Sequence, residues 1–598
     1  MSKNFAIVID KCQANNYLSS KLVNTNVIAL TPDAYYFLKN KKIKNLTNPF
    51  LILKNYDYTK IVVSNKILSN KIKVLFKSNV DFSSVQKENF KNYLLLINST
   101  LNYIWLSLPN HSYFFVFNNN QITKLSKVNA HSFILKYIKS QKIGIFKNEI
   151  PNNVYKFYYL KKILNNIIFY ILRKKKIIFF SEKNKNFTKI AKLIYSNNNS
   201  TISISFSRKY SNSLLSLFFY IFNFLNFFFM FEKFFFIFSP HLKKKSMNSY
   251  LIQKNILKLK IPIISNNLEI LNSFFLNIFA YLKALDEFLN HNKLLKKSRL
   301  LIADYLTWND NSVLGNFFKK NYKEVILASH GITPYSKELY SRLELNNLCN
   351  GLITSPFATT ILAQSPTAYR LAVTKNFYKS EIIKSHPISY NGLRKSFTNS
   401  NKIKIQTILY ANTYKVFASR PWIYETSFEY LENLRKLCDA IKNLKNTQLL
   451  IKIRLNDELS IQTIKEYIVP NDKIIFFTEG NIDEFCQKAD LLITGFSTVI
   501  DEFMYLNKPV VIFGDKRKYQ PYKLNNKIDE VINKNILKPI YYLDNKNLTF
   551  NLKTILNLVR KKKINENKNK NFLWKKDEAL FFKKFIKMIN KKINDKKN

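Results

Sequence analysis

ITGFSTVIDEFMYLNKPVVIFGD, residues 493–515, places two of the chain's 8 glycines around a short run of helical character. The stretch begins with the end of LLIT (491–494), turns through Gly495-Phe496-Ser497 and starts a helix at Thr498. That helix stops at Asn507-Lys508-Pro509, because proline cannot continue it, and VVIF (510–513) follows. Strand, tight loop, helix, strand is the repeating unit of a parallel sheet. Apolar runs without polar alternation predict strands buried on both faces.

The same alternation extends upstream. IQTILYA (405–411), QLLIKI (448–453) and KIIFF (473–477) read as strands. Between them, 425–444, a segment near 458–468 and 481–488 read as helices, with a further helix at 498–507. The expected fold class is α/β, with a doubly wound parallel sheet over 401–560. A second α/β domain is expected from FAIVID (5–10), NVIAL (26–30), a helix at 31–43 and KKIIFF (175–180). EVILASHG (324–331) and NGLITS (350–355) continue it.

Composition limits the functional classes less than it first suggests. Lys and Arg outnumber Asp and Glu 95 to 39, a formal charge of +56, which by itself points to nucleic acid or an anionic membrane surface. But Lys, Asn, Ile, Phe and Tyr are overused together, and all five share AT-rich codons. Drift at solvated positions explains most of the excess, and no nucleic-acid motif or stacking periodicity accompanies it. Residues that resist the drift, such as Gly, Pro, His and Trp, are then the informative ones. Seven of the eight glycines lie between 315 and 514, so that window is where function is sought.

Four cysteines without paired spacing fit a reducing compartment. The apolar run at 5–9 is too short for a signal-peptide core, so the expected location is the cytoplasm, with peripheral contact at the inner face of the plasma membrane. That contact is suggested by LLSLFFYIFNFLNFFFMF (214–231), flanked by Arg208-Lys209 and Lys243-Lys244-Lys245. Three readings of this string stand: a core helix, a surface-lying amphipathic helix and a membrane span. The basic stretch from Arg560 to Asn598, fifteen basic against four acidic residues, reads as a docked helix, a lipid-touching segment or a solvated tail. The expected division is thus 1–200 and 300–400 as one α/β domain, 201–299 as a helical Phe-rich insertion, 401–560 as a second α/β domain and 561–598 as a basic tail or helix.

In the opening stretch, Thr498-x-x-Asp501 has capping-box spacing. Beyond a strand's carboxyl end, Gly495 would let a diphosphate approach the backbone, Ser497 and Thr498 would add hydroxyl donors, and Glu502 would accept from ribose hydroxyls. An ordinary βαβ turn gives the same pattern. ASHGITPYS (328–336) places His330 and Gly331 directly after an apolar run, where a histidine faces a cleft and can take a proton near neutral pH. A capping or core histidine is the alternative.

Together these stretches resemble CDP-glycerol glycerophosphotransferases and related capsule and surface-polysaccharide transferases. The His330-Gly331-x-Thr333-Pro334 loop is similar to that family's histidine loop. QTILYANTYK (406–415) resembles the strand and loop opening its C-terminal domain, with Asn412 where members carry proline. GFSTVIDEFMYLNKPVVIF resembles its donor signature, with Asn507 in place of glycine. The resemblance covers roughly 300–515. It implies a GT-B-type arrangement of two Rossmann-like domains facing across a cleft, with His330 as the catalytic base and Gly331 and Thr333 on the acceptor-side loop. Thr413, Lys452, Arg454, Gly495, Ser497, Thr498 and Glu502 would bind the donor. No metal or cofactor is implied beyond the nucleotide-activated donor itself. The family often has a Lys-Pro-His-Pro-like segment where this chain has IKIRLND (451–457), so Arg454 can hold a phosphate but cannot act as a base. His386, in KSHPISYNG, is expected to be structural.

The function expected is transfer of a sugar or glycerol-phosphate unit from a nucleotide-sugar or CDP-polyol donor to a glycan or lipid-linked acceptor. Its rivals are a nucleotide-sugar 2-epimerase on the same fold, and a non-catalytic basic protein binding membrane or nucleic acid.

Overall fold

The computed structural model describes residues 4–594 except 54, 79–80, 119–120, 207–217, 219, 224, 228–233, 330–337, 339–341, 343–348, 376–377, 386–404, 416–419, 455–457, 481, 498, 516–517, 519–536 and 562–577. Three sheets order the chain. The first holds β1 (Asn4–Val8), β2 (Asn26–Ala29), β3 (Leu46–Thr47), β4 (Tyr113–Asn118) and β5 (Gln121–Leu125), in the order β3-β2-β1-β4-β5. Its pairings are parallel except for the β4–β5 hairpin.

The second sheet holds seven strands: β6 (Lys176–Phe180), β7 (Thr201–Phe206), β8 (Phe235–Phe238), β9 (Leu300–Ala303), β10 (Glu324–Ala328), β11 (Thr360–Ala363) and β12 (Glu381–Lys384). All neighbours are parallel, in the order β12-β11-β10-β9-β6-β7-β8.

The third sheet is also all parallel: β13 (Gln406–Ala411), β14 (Thr447–Lys452), β15 (Ile474–Phe477), β16 (Leu491–Thr494), β17 (Val510–Phe513) and β18 (Ile540–Leu543). Its order, β15-β14-β13-β16-β17-β18, is the Rossmann order 3-2-1-4-5-6, and the second sheet begins with the same pattern counted from β6. The expected pair of Rossmann-like units is therefore present, preceded by a third, smaller α/β unit.

The expected division of the first 400 residues needs correction. Residues 201–299 are not a helical insertion, because β7 and β8 belong to the second sheet. TISISF alternates apolar residues with Ser203 and Ser205, which are nonetheless buried, and β8 is concealed in a phenylalanine run. Nor do residues 1–200 form one sheet with 300–400. The first and second sheets are separate but share one continuous core, joined by the Ser84–Ser107 and Leu268–His291 helices. NGLITS is a turn rather than a strand. Gly351 has φ +81°, and a Cβ there would collide with Thr307.

Leu268–His291, with mean hydropathy 1.3, is the one helix among the described residues long and apolar enough to cross a membrane. Phe274, Phe275, Ile278 and Phe279 on it are fully buried, so its apolarity is that of a core helix. Most of 214–231 lies outside the described residues; 218, 220–223 and 225–227 are helical.

Of the readings of the basic tail, Glu578–Asn594 forms a helix docked on the second sheet. Phe585, Ile586, Ile589 and Ile593 join Ile178, Phe180, Ile302 and Leu362 in one cluster. Lys592 lies 3.1 Å from Glu324 and 3.6 Å from Glu381. A helix from the chain's end thus closes back over the second unit.

Candidate active site at the carboxyl edge of the third sheet

The Rossmann order reverses between β13 and β16, and the crevice at their carboxyl ends is where such sheets bind ligands. β13 runs into Asn412 and Thr413, and β16 into Gly495. The Asn412 amide joins the two. Its Oδ1 accepts from the Phe496 backbone N–H at 3.0 Å, and its Nδ2 donates to Glu425. A Cβ at Gly495 would sit 2.9 Å from that Nδ2. The first glycine of the opening stretch therefore makes room for Asn412. The second, Gly514, has φ +144°, a conformation side chains rarely tolerate.

Glu425 is the centre of a small polar network. It accepts from Asn412 and Asn433, and burial pushes its carboxyl up to about 8. The Glu429 charge acts in the same direction, while the Asn433 hydrogen bond and Lys518 oppose it. Glu429 is itself held by a capping box with Thr426 at the start of the Ser427–Lys442 helix, and Lys518 lies 3.1 Å from it. A cavity of about 40 Å³ lies among these groups, with Thr413 in its wall.

Next to this network, Lys415 lies within electrostatic reach of two further cations, Arg420 and Arg454. Burial, together with the nearby charges of Arg454 and Arg420, lowers the Lys415 ammonium to about 8. The Lys415 backbone donates to Glu425 O at 3.0 Å, and its Nζ lies 4.9 Å from the Tyr424 ring centroid. Arg454, just past β14, is exposed. Positive charges gathered at the end of a parallel sheet favour an anion, which relieves the repulsion. Sequence reasoning named Arg454 but missed Lys415, Arg420 and Glu425. Pro421-Trp422, two drift-resistant residues beside Arg420, were the available signal.

The other expected residues are distributed unevenly. Lys452 is turned along the edge, and its Nζ donates to Thr478 O at 2.8 Å. Ser497 Oγ accepts from the Val499 N–H at 3.4 Å, at the start of the Val499–Tyr505 helix. Glu502 sits on that helix beside Cys486, whose thiol is pushed up by burial and further by the Glu502 charge. Glu502 thus lies on the sheet face opposite the Ser427–Lys442 helix, outside the small cavity. His330, Gly331, Thr333, Thr498 and His386 lie outside the described residues.

The turn after Glu502 accounts for another departure. Asn507 adopts φ +56°, which asparagine tolerates better than most side chains. Lys508 Nζ donates to the carbonyls of Cys486, Gln487 and Ala489 at 2.7–2.8 Å, closing the C-terminus of the Ile482–Lys488 helix. Lys508→Met keeps the methylenes and removes the three charge-assisted bonds. It should lower stability by about 1–3 kcal/mol, read as a lower denaturation midpoint.

A larger cleft of about 950 Å³ opens on the same edge, between the first unit and the third. Tyr35, Tyr36 and Tyr58 face Trp422, Phe428 and Lys436 across it. The two units are held together beside it. Tyr36 Oη donates to Glu432 at 2.9 Å, and the Ser460 N–H donates to Asp33 at 2.9 Å.

Residues 386–528 match the family model described as CDP-Glycerol:Poly(glycerophosphate) glycerophosphotransferase. Over this stretch the chain is similar to glycerophosphotransferases. The matched stretch contains Asn412, Lys415, Arg420, Glu425, Arg454 and the 495–498 loop, so the transferase signature coincides with the edge described above. No curated protein matches the chain in sequence. Among solved structures, the S. aureus MnaA–UDP co-structure is 11% identical, covers 70% of this chain and 97% of its own, and has a TM-score of 0.40. The wall teichoic acid polymerase TagF is 13% identical, with 73% and 97% coverage and a TM-score of 0.37. The UDP-GlcNAc 2-epimerase from Neisseria meningitidis bound to UDP-GlcNAc is 10% identical, with 70% and 100% coverage and a TM-score of 0.38. Likenesses this distant carry no argument about this chain's chemistry.

Proposed function

We propose that this transferase moves a polyol-phosphate unit, glycerol phosphate being the first choice, from a CDP-activated donor to a hydroxyl of a surface-polysaccharide or lipid-linked acceptor. The observation that carries this reading is the Lys415, Arg420 and Arg454 cluster, placed at a Rossmann sheet's carboxyl edge within the matched stretch.

In the proposed step the acceptor oxygen attacks the phosphorus of the glycerol phosphate. The bond from that phosphorus to the bridging oxygen breaks, and CMP departs with the electron pair. The acceptor proton goes to His330, a role carried over from the sequence resemblance. The three cations stabilise charge on the departing phosphate, a contribution often worth ~3 kcal/mol for one well-placed donor. Glu425, kept largely protonated near pH 7 by its surroundings, holds Asn412 and so fixes the Gly495–Ser497 loop beside them.

The test is a thermal-shift series with CMP, CDP, UDP, GDP and their glycerol or sugar conjugates. A ligand present at 100 times its Kd should add about 2.7 kcal/mol of stability. A shift with the cytidine compounds supports the reading, and no shift with any nucleotide contradicts it.

The site's electrostatics set the pH dependence. Lys415 in the free protein loses its proton near pH 8, below the usual lysine range, so the cluster carries less positive charge above that pH. Nucleotide affinity should therefore be fully developed below pH 7 and decline as the pH rises through 8. Titration calorimetry between pH 6.5 and 9.5 reads this directly.

A further inference from the structure

We propose that the cleft between the first and third units is a binding site for the uncharged sugar units of an oligosaccharide. The stretch matched by the family model contributes to one wall of it. The first unit, which that match does not reach, supplies the other through the Pro32–Asn40 and Asn55–Lys77 helices.

Tyr35, Tyr36, Phe50, Tyr58, Trp422 and Phe428 line the cleft. Edge-on contacts hold Tyr35 in place. Its ring centroid lies 5.1 Å from that of Tyr36 and 5.8 Å from that of Phe428, with the ring planes near perpendicular. Fixed aromatic faces suit the C–H faces of a sugar ring, which are apolar and carry partial positive charge. The hydroxyls around the ring then need polar partners. Asn48, Thr59, Asn433 and Asn545 place amides and a hydroxyl among the aromatic rings. At about 950 Å³ the cleft has room for more than one sugar, and a unit interface is where such sites form.

Charge decides against an anionic occupant. Glu338, Glu429, Glu432, Asp515 and Asp544 line the cleft with three lysines, whereas Lys and Arg outnumber Asp and Glu 95 to 39 in the chain. The drift that adds lysine elsewhere has not done so here. One of the three lysines is committed to protein partners. Buried Lys518 lies 3.1 Å from Glu429, donates to Pro421 O and sits 4.5 Å from the Tyr58 ring centroid. Glu432 accepts from the Tyr36 and Tyr467 hydroxyls at 2.9 and 2.6 Å. A polymer with a phosphate in every unit would be repelled by these carboxylates. A neutral saccharide is not, and ionised carboxylates are strong acceptors for its hydroxyls.

The cleft runs up to the proposed donor edge. Glu429, Asn433, Gly514, Asp515 and Lys518 line both it and the small cavity beside Glu425. A saccharide seated on the aromatic wall therefore lies next to the place of transfer, where it serves as the sugar portion of an acceptor. That last role rests on the transferase reading, whereas binding of the saccharide does not.

The test is binding of the full chain, at physiological salt, to a printed array of neutral and acidic glycans. Titration calorimetry then follows with the neutral glycan bound most strongly. Neutral oligosaccharides should bind, and Tyr35→Ala should weaken that binding by at least about tenfold. Tyr35→Phe, which keeps the ring, should stay within about threefold of the unaltered chain. Thr59→Arg fills the cleft from the Asn55–Lys77 helix and should weaken binding as much as Tyr35→Ala. Acidic glycans held by the basic surface should bind all the variants equally. The thermal denaturation midpoint of each variant should stay within a few degrees, which controls for folding. Binding of no neutral glycan overturns the proposal, as does equal binding by Tyr35→Ala and Thr59→Arg. So does a selective loss of acidic glycans in those two variants, because the cleft would then hold an anion. Neutral glycan binding by a chain that shows no thermal shift with any nucleotide would leave this site standing and remove the transferase reading instead.

Discussion

Replacing His330 with alanine should reduce turnover by about 10²–10⁴-fold while changing donor affinity little, the loss expected of a missing general base. The separation of the two effects is the informative part. A base acts on the acceptor proton in the transition state, so kcat falls while nucleotide binding, measured by thermal shift, persists. His330→Gln, which retains size and hydrogen bonding but cannot take the proton, should be as impaired as His330→Ala. Full activity in either variant removes His330 from the mechanism and leaves the histidine as a cap or core residue.

Arg454→Ala should have the opposite signature. Loss of one charge-assisted hydrogen bond to a phosphate costs about 1.5–3 kcal/mol, roughly a tenfold to hundredfold drop in donor affinity. Because the same interaction stabilises the leaving group, turnover should fall as well. A second consequence is specific to this cluster. The Arg454 charge helps to depress the Lys415 proton affinity, so its removal lets Lys415 hold its proton to higher pH. The decline of nucleotide affinity that begins near pH 8 in the unaltered protein should therefore move upward in Arg454→Ala. Arg454→Lys, which keeps the charge, should leave the decline near its original position while losing bidentate contact. A purely structural Arg454 would change neither the affinity nor its pH profile.

The third sheet was the most legible part of the fold. Its strands are short apolar runs buried on both faces, and β13, β14, β16 and β17 fall within one residue of the expected bounds. Such strands carry their own signal because nothing in their environment is polar. The second sheet was harder to read. β7 hides its burial behind Ser203 and Ser205, and β8 cannot be told from the helical phenylalanine run before it by period alone. The docking of Glu578–Asn594 on that sheet was one of three readings, since a lysine-rich amphipathic segment looks the same docked or solvated.

In the candidate site, the opening stretch marked the right edge, but the reason for its first glycine was tertiary. Gly495 is constrained by Asn412, a residue 83 positions earlier, and no local pattern announces that contact. Asn507 was legible as a departure from glycine, and its positive φ shows why asparagine can stand there. Lys415 and Arg420 were lost among the chain's 95 basic residues, and only the electrostatic reach between Lys415 and the two arginines, Arg420 and Arg454, distinguishes them. Glu425 looked like an ordinary helix-start acid, yet it is held by two asparagines far from any neighbour in sequence that would predict its raised proton affinity.

The most direct measurement is of what leaves the donor. The purified chain would be incubated with CDP-glycerol and a glycerol-phosphate-primed acceptor, and the nucleotide products followed by phosphorus NMR. Transfer of glycerol phosphate predicts CMP released in step with phosphodiester formed on the acceptor, and none without acceptor. Release of a nucleoside diphosphate from a nucleotide sugar, or conversion of a nucleotide sugar with no acceptor consumed, would contradict the account.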